Sequence, residues 1–116
     1  MDLKIKNKVC IITGGAKGIG YGIAKLWASE GGIPVIFSRS MPKEHDKELK
    51  KLSSEYEFYE IDLKNYEQIE KLVKKVAIKH GGIYALVNNA GTNDNLHIEN
   101  TSTQDLIKSY ENNLFH

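Results

Sequence analysis

The most regular feature of this chain is an alternation of short apolar runs with longer amphipathic stretches. Three runs are continuous, at residues 9–12, 35–37 and 85–87, and a weaker run at 57–61 alternates apolar with polar positions. Continuous runs are typical of strands covered on both faces, as in a parallel sheet with helices on either side. Pro34 is compatible with the second run because it lies at the start of that strand.

Helical patterns separate the runs. The first helix is predicted to bury one face, made of Ile19, Ile23, Leu26 and Trp27. A charge-rich stretch at 43–52 is predicted to be a solvated helix, with no partner-binding role. The tyrosines and histidines on the helices are interpreted as packing or surface residues.

The third helix has the clearest boundaries. Its apolar face consists of Ile69, Leu72, Val73 and Val76. Residues 65–68 resemble a capping box that opens the helix, and the glycines at 81–82 close it. A last helix is expected from Thr101 onward. The order β-α-β-α-β-α-β-α predicts an α/β fold with a doubly wound parallel sheet, whose strand carboxyl ends meet at one edge, where ligands bind.

Composition narrows the function classes. The chain has 116 residues, a net charge of +1, and 41% hydrophobic and 27% charged residues, as in one ordinary globular domain. Neither a basic stripe nor an apolar run of about 18 residues is present, so we expect no nucleic-acid or membrane partner. No signal peptide is recognisable. The single cysteine, Cys10, favours a buried inert thiol over a reactive one, and a cytoplasmic location is expected.

The segment with the strongest chemical signal is Thr13-Gly14-Gly15-Ala16-Lys17-Gly18-Ile19-Gly20, directly after the first run. Gly14 would permit a tight turn, Gly18 would let the backbone approach a phosphate, and Gly20 would let the helix pack on the strand. The helix N-terminus would then offer free N–H groups and a positive dipole end to an anion. The alternative is a plain tight turn. We expect cofactor contacts from Gly14, Lys17, Gly18, Ile19 and Gly20.

The glycine spacing, with Asn88-Asn89-Ala90-Gly91 after the fourth run, resembles that of the short-chain dehydrogenase/reductase family. The resemblance covers essentially the whole chain and implies a Rossmann-type domain that binds NAD(P). It implies an adenine pocket lined by Asp62 and Leu63. It also implies that Asn88, Ala90 and Gly91 shape the ribose and nicotinamide side, although the two asparagines could equally form a hydrogen-bonded turn. No metal is implied.

The end of the second strand bears on the choice of cofactor. An acidic residue there would accept the ribose hydroxyls of NAD, but this chain has Ser38-Arg39-Ser40. Arg39 can grip a 2′-phosphate bidentately, and Lys17 adds a second cation. The sequence therefore favours NADP(H), with NAD(H) possible. The alternative is that Arg39 stacks on adenine and both cofactors bind.

The family's catalytic Tyr-x-x-x-Lys spacing occurs once, at Tyr21 and Lys25. We reject this pair because the predicted apolar face of the first helix places both side chains on the opposite side, toward solvent. In the family the pair also comes later in the chain, after a fifth strand.

The last predicted helix carries a further candidate. Asn113 falls within the apolar face formed by Leu106, Ile107, Tyr110 and Leu114, whereas Asn112 points away from it. A buried Asn needs hydrogen-bond partners, and the segment resembles the one that carries the family's catalytic Asn. A structural Asn that ties helix to sheet is the alternative.

The family's mechanism also uses a Tyr, a Lys and a Ser, which exchange a proton with the substrate while hydride passes at nicotinamide C4. No acceptable Tyr/Lys pair or fifth strand occurs in this sequence. Residues 1–116 are thus interpreted as the amino-terminal, incomplete part of one Rossmann-type domain. The parent enzyme would act on an alcohol or carbonyl substrate and would be a homo-oligomer, whereas the fragment would be inactive.

Four short segments are similar to those of sugar dehydrogenases of the L-fucose dehydrogenase type. These segments are residues 1–3, 33–35, 91–94 and 111–116. That similarity implies an aldose substrate. Asn93, Asp94, Asn95 and His97 could bind a polyol or form a solvated turn. Besides the oxidoreductase, two other hypotheses remain open: a non-catalytic dinucleotide-binding or sensing module, and a structural subunit.

Overall fold

Strands and helices alternate along residues 4–89, the part of the chain that the computed structural model describes. The elements are β1 (Val9–Thr13), α1 (Gly18–Ser29), β2 (Ile33–Ser38), α2 (Lys43–Leu52), β3 (Glu57–Glu60), α3 (Tyr66–His80) and β4 (Ala85–Asn88). The strands form one parallel sheet in the order β3-β2-β1-β4. The predicted α/β doubly wound arrangement is confirmed. The last predicted helix, together with Ala90, Gly91 and Asn113, lies outside the described residues.

The register of the sheet aligns the carboxyl ends of the strands. Thr13, the last residue of β1, pairs with Phe37 of β2 and with Asn88 of β4. Ser38, which ends β2, pairs with Glu60 of β3. Polar residues that follow the strands therefore meet at one edge.

The two central strands, β1 and β2, are covered on both faces, which accounts for their continuous apolar runs. On β1, Ile11 faces the core beneath α3, whereas Ile12 faces the core beneath α1 and α2. Cys10 lies on the second side and is fully buried, and burial raises the pKa of its thiol to about 11. The inert-thiol interpretation of Cys10 is therefore the one that the structure supports.

The ends of α3 largely match the predicted signals. The side chain of Asn65 accepts a hydrogen bond from the Gln68 N–H (3.2 Å), which is half of a capping box. The reciprocal half is absent, because the Asn65 N–H donates to the Asp62 carbonyl instead. At the other end Gly81 has a φ of 77°, and the Gly82 N–H donates to the Ala77 carbonyl (2.8 Å). No helix within residues 4–89 has the length and apolar character needed to cross a bilayer.

The predicted buried face of α1 is only partly correct: Ile23 and Trp27 are half-buried and pack against the core, but the other two residues do not. Ile19 and Leu26 are 78% and 58% exposed, whereas the buried residues of the helix are Gly20, Tyr21, Ala24 and Ala28. The helix contacts the sheet through its small residues, because they let its backbone come close to β1 and β2. The large apolar residues flank that contact.

Gly20 is the point of closest approach between α1 and the turn after β1. A Cβ there would lie 2.6 Å from Asn89 Nδ2 and 2.7 Å from the Gly14 carbonyl oxygen. Gly22, two residues further along the same helix, has nothing within 4 Å of the corresponding position. The missing Cβ at Gly20 thus determines where the N-terminus of α1 lies.

The helix α2 has the predicted bounds but is not simply solvated. Leu49 is fully buried against the sheet, and Asp46 accepts a hydrogen bond from the Tyr56 hydroxyl (2.8 Å) just before β3. Its charged residues include side chains that hold this helix in place, which the charge-rich pattern did not reveal.

At the end of the sheet opposite the carboxyl edge, Glu57 of β3 joins a polar cluster with α3. Its Oε1 lies 2.7 Å from His80 Nε2 and 3.0 Å from Lys79 Nζ, and the Tyr59 hydroxyl donates to its other oxygen. Burial acts to raise the pKa of the Glu57 carboxyl, but the hydrogen bonds from Tyr59, His80 and Lys79 outweigh it and hold that pKa below its ordinary value. The ionised form is therefore the stabilised one.

We expect Gly20→Ala to destabilise the protein by about 1–3 kcal/mol, because backbone or Asn89 must move to admit the methyl group. The matched control is Gly22→Ala, which should stabilise it by about 0.5–1 kcal/mol, since alanine favours a helix over glycine. Urea denaturation of the two variants measures both effects. Equal effects of the two substitutions would refute the close approach at Gly20.

Glu57→Gln is predicted to lower the free energy of unfolding by about 1–3 kcal/mol at pH 7. A carboxyl whose folded pKa is depressed stabilises the fold fully above its unfolded value, near 4.5, and loses that contribution as the pH falls through the folded value. The difference between wild type and variant should therefore shrink from pH 5 toward pH 3, as measured by urea denaturation. Glu70→Gln, which removes an exposed pair with Lys74, should change stability by less than about 0.5 kcal/mol. A Glu57→Gln deficit that persists undiminished at pH 3 would contradict the assignment.

Candidate functional site

The carboxyl edge of the sheet gathers most of the predicted site residues that fall within residues 4–89. Gly14, Lys17, Gly18, Ile19 and Gly20 follow β1 in the turn and the first turn of α1. Ser38 and Arg39 follow the neighbouring β2, and Asn88 ends β4 on the other side of β1. Asp62 and Leu63 follow β3, the strand farthest from β4.

The glycine turn leaves β1 through a backbone conformation that suits glycine. Gly14 has a φ of 67°, in the left-handed region, and its N–H donates to the Phe37 carbonyl (2.9 Å). Gly15 is packed into the core, where a Cβ would lie 3.0 Å from Ile12 and Ile36. Gly18 has a φ of 59° and open space where a Cβ would be. The turn is thus closed on its inner side and open at Gly18.

The N-terminus of α1 carries features of an anion site. Lys17 occupies the N-cap position, and its side chain makes no capping hydrogen bond. The first turn contains no acidic residue. N–H groups at the start of a helix need partners, and the helix dipole favours a negative charge there.

The two asparagines after the fourth run have different surroundings. Asn89 Nδ2 donates to the Gly14 carbonyl (3.1 Å), so it ties the end of β4 to the glycine turn. The side-chain oxygen of Asn88 is buried and has no hydrogen-bond partner within the described part of the chain. A buried acceptor without a partner costs free energy, which makes Asn88 a natural contact for a ligand group that donates hydrogen bonds. Together with the open turn at Gly18, this acceptor fits a bound dinucleotide.

Two cations border the glycine turn. Lys17 and Arg39 are both exposed, and neither makes an ion pair with another residue in 4–89. They lie on segments that follow adjacent strands, β1 and β2. A phosphate group near this edge could therefore meet both charges.

The segment after β3 is ordered by its own hydrogen bonds. Asp62 is exposed, and its Oδ1 accepts from the Lys64 N–H (2.9 Å). Leu63 is half-buried and packs against the core beneath α3. The rim of the predicted adenine pocket is thus a polar turn next to an apolar side chain.

The helix α2 contacts the glycine turn through His45. Its Nδ1 lies 2.8 Å from the Ala16 carbonyl oxygen, and its ring stacks on Tyr21 with centroids 3.8 Å apart and planes 12° from parallel. The Tyr21 hydroxyl donates to Glu48 Oε2 (2.5 Å), and Lys25 Nζ lies 3.6 Å from the other oxygen of Glu48. This set, His45, Tyr21, Glu48 and Lys25, is called the α1–α2 brace below.

The contacts of the α1–α2 brace show that Tyr21 and Lys25 were rejected as a catalytic pair for a wrong reason, their predicted orientation toward solvent. Tyr21 does not point to solvent, since it is only 7% exposed. Burial, with the hydrogen bond and negative charge of Glu48, raises the pKa of Tyr21 to about 12. A tyrosine that must give and take a proton near neutral pH needs the opposite shift. The rejection therefore stands on chemistry rather than on orientation.

Sequence reasoning did not single out Asn89 or His45 as separate functional candidates. Their signals are weak, because an Asn after a strand and a His on a charged helix have many ordinary explanations. Among residues 4–89, no group of three or more His, Cys, Asp or Glu side chains could hold a metal ion.

Known proteins are similar to this chain in sequence and in fold. The chain is 37% identical over 93 residues to the 3-oxoacyl-acyl-carrier-protein reductase FabG of Thermotoga maritima. The aligned segment covers 77% of this chain and 37% of the relative. It is also 30% identical over 112 residues to galactitol 2-dehydrogenase of Agrobacterium fabrum. That alignment covers 97% of this chain and 43% of the relative. The chain thus spans less than half the length of these curated relatives.

Solved structures agree with the sequence relatives. The crystal structure of L-sorbose reductase from Gluconobacter frateurii, complexed with NADPH and L-sorbose, superposes with a TM-score of 0.75 at 32% identity. That match covers 98% of this chain and 44% of the reductase chain. The family model described as short chain dehydrogenase matches residues 8–116. The chain therefore belongs to the short-chain dehydrogenase/reductase family, whose members are NAD(P)-dependent oxidoreductases.

Proposed function

We propose that residues 1–116 form the cofactor-binding part of an oxidoreductase that transfers a hydride between a nicotinamide and an alcohol or carbonyl substrate. The observation that carries the proposal is the carboxyl edge, where an uncapped helix N-terminus follows an open glycine turn beside the unpartnered oxygen of Asn88. The bound nicotinamide would supply the hydride. The residues of this chain bind and orient it.

Each segment of the edge has a distinct role in this proposal. The turn from Gly14 to Gly20 holds the pyrophosphate with backbone N–H groups, and Ile19 covers it from the exposed side of α1. Asp62 and Leu63 border the adenine. Asn88 contacts the ribose and nicotinamide side, together with Ala90 and Gly91, which lie outside the described residues.

NADP(H) is the proposed preferred cofactor, because Arg39 follows β2, where an NAD-selective site would place a carboxylate, and Lys17 in the glycine turn adds a second cation. Their lack of ion pairs with other described residues leaves both charges available to a 2′-phosphate. The NADPH bound in the L-sorbose reductase structure is a property of that protein and agrees with the proposal.

The proposed substrate is a sugar or polyol. Residues 1–3, 33–35, 91–94 and 111–116 resemble the corresponding segments of sugar dehydrogenases, and the names of two similar proteins include galactitol and L-sorbose. Asn93, Asp94, Asn95 and His97, outside the described residues, would hydrogen-bond its hydroxyl groups. Asn113 would take the catalytic Asn role, in a parent enzyme that supplies Ser, Tyr and Lys, acts in the cytoplasm and forms a homo-oligomer.

For the cofactor preference, we expect the purified protein to bind NADPH more tightly than NADH in a fluorescence titration. Arg39→Ala and Lys17→Ala should each raise the dissociation constant of NADPH about tenfold or more, because each removes a charge-assisted contact. NADH binding should change by less than about twofold. Lys51→Ala, which removes an exposed cation at the far end of α2, is the matched control. Equal or weaker binding of NADPH relative to NADH in the wild type would refute the preference.

For catalysis, a purified 1–116 chain should bind the cofactor yet show no oxidation of polyols or aldoses above background. A longer natural chain that also contains a Ser and a Tyr-x-x-x-Lys should oxidise such substrates and reduce NADP in the same reaction. Turnover by residues 1–116 alone would contradict the proposed division. Cofactor binding by a full-length protein that lacks those residues would favour a dinucleotide sensor.

A further inference from the structure

We propose that His45 is a positioning residue for cofactor choice, which fixes the glycine turn so that Lys17 and Arg39 act together on a 2′-phosphate. This inference rests on the proposed NADP(H) function and deepens it. It assigns to α2 a role in the site, although His45 itself need not touch the cofactor.

The hydrogen bond between His45 and Ala16 has a defined direction. The Ala16 carbonyl oxygen can only accept, so His45 Nδ1, at 2.8 Å, must carry the proton. Ala16 is buried, with 3% of its surface exposed. Because a buried carbonyl has little access to water, loss of the His45 donor leaves the turn free to rotate this peptide toward another partner.

The carbonyl of Ala16 and the N–H of Lys17 belong to the same planar peptide group. Fixing one therefore fixes the other, and with it the direction in which the chain enters Lys17. Lys17 is extended, with φ of −145° and ψ of 163°, and it is the last residue before α1. The tie from His45 thus sets the starting point of the Lys17 side chain.

The imidazole ring is itself held by α1. It stacks on Tyr21, whose hydroxyl is bound to Glu48, and Lys25 lies beside the same carboxylate. The face of the ring is fixed by Tyr21 and its edge by Ala16. His45 therefore has little freedom to turn away from the glycine turn.

The helix that carries His45, α2, comes directly after the segment that contains Arg39. Only Ser40, Met41 and Pro42 separate Arg39 from the start of α2, and Pro42, with φ of −58°, restricts that short connection. A helix docked on the glycine turn through His45 thus sets the distance between the Arg39 segment and the Lys17 segment. Two cations at a fixed separation bind a phosphate better than two that move independently, because less conformational entropy is lost.

Two substitutions separate the hydrogen bond from the ring. His45→Phe keeps a ring for stacking on Tyr21 but removes the donor. His45→Asn removes the ring but keeps an N–H at the same number of bonds from Cβ. Tyr56→Phe removes a different anchor of α2, the bond to Asp46, and serves as the control for a general loosening of that helix.

Dissociation constants for NADPH and NADH, measured on the full-length protein, test the inference. His45→Phe should raise the NADPH constant about fivefold to tenfold and the NADH constant less than twofold. His45→Asn should restore most of the NADPH affinity, even if its melting temperature is lower. Tyr56→Phe should lower the melting temperature and leave the ratio of the two constants unchanged.

A double-mutant cycle gives the decisive result. In a Lys17→Ala background, His45→Phe should have little further effect on NADPH, because the side chain that it positions is gone. Full additivity of the two substitutions would overturn the inference, as would equal weakening of NADPH and NADH by His45→Phe. Loss of NADPH affinity in both His45→Asn and His45→Phe would also overturn it, because a donor retained at this position would then fail to preserve NADPH binding.

The same variants distinguish failure of the His45 role from failure of the NADP(H) preference. If Lys17→Ala and Arg39→Ala weaken NADPH selectively while His45→Phe does not, the NADP(H) preference survives and only the role of His45 fails. If neither cation affects NADPH, the preference itself fails.

Discussion

The close approach at Gly20 is the constraint on which the rest of the site depends. With no Cβ at this position, the Gly14 carbonyl and the Asn89 amide come within 2.7 Å and 2.6 Å of where one would be. Asn89 in turn donates to Gly14, so the turn after β1, the start of α1 and the end of β4 are fixed against one another. A larger residue would separate them, and the helix N-terminus would no longer face the carboxyl edge of the sheet.

The sequence was sufficient for the features that local patterns determine. The continuous apolar runs predicted β1, β2 and β4, because a strand buried on both faces needs apolar residues at every position, and the alternating run predicted β3. The bounds of α2 were predicted correctly from its composition, and the end of α3 from its glycines. The glycine turn was recognisable because its residues lie between a strand and a helix, the setting in which their lack of side chains serves binding.

The features that the sequence did not predict depend on contacts between distant segments. The apolar face of α1 was assigned from the helical spacing of its large apolar residues, yet a helix that must lie close to a sheet uses Gly20, Ala24 and Ala28 for the contact. His45 became a candidate only once the fold had brought α2 against Ala16, 29 residues earlier in the chain. Such pairs have no periodicity, so neither amphipathic pattern nor motif spacing could reveal them.

Tyr21 and Lys25 show that the surroundings of a pair decide its chemistry more than its spacing does. In a catalytic pair, a lysine near a tyrosine favours the phenolate by its positive charge. Here Lys25 Nζ lies 4.8 Å from the centre of the Tyr21 ring, but the Tyr21 hydroxyl donates a hydrogen bond to Glu48, and the same carboxylate pairs with Lys25. Burial and the carboxylate together raise the pKa of the tyrosine to about 12, so the phenol keeps its proton. The same two residue types thus build a brace between helices instead of a proton-transfer site, and the brace directs His45 toward the glycine turn.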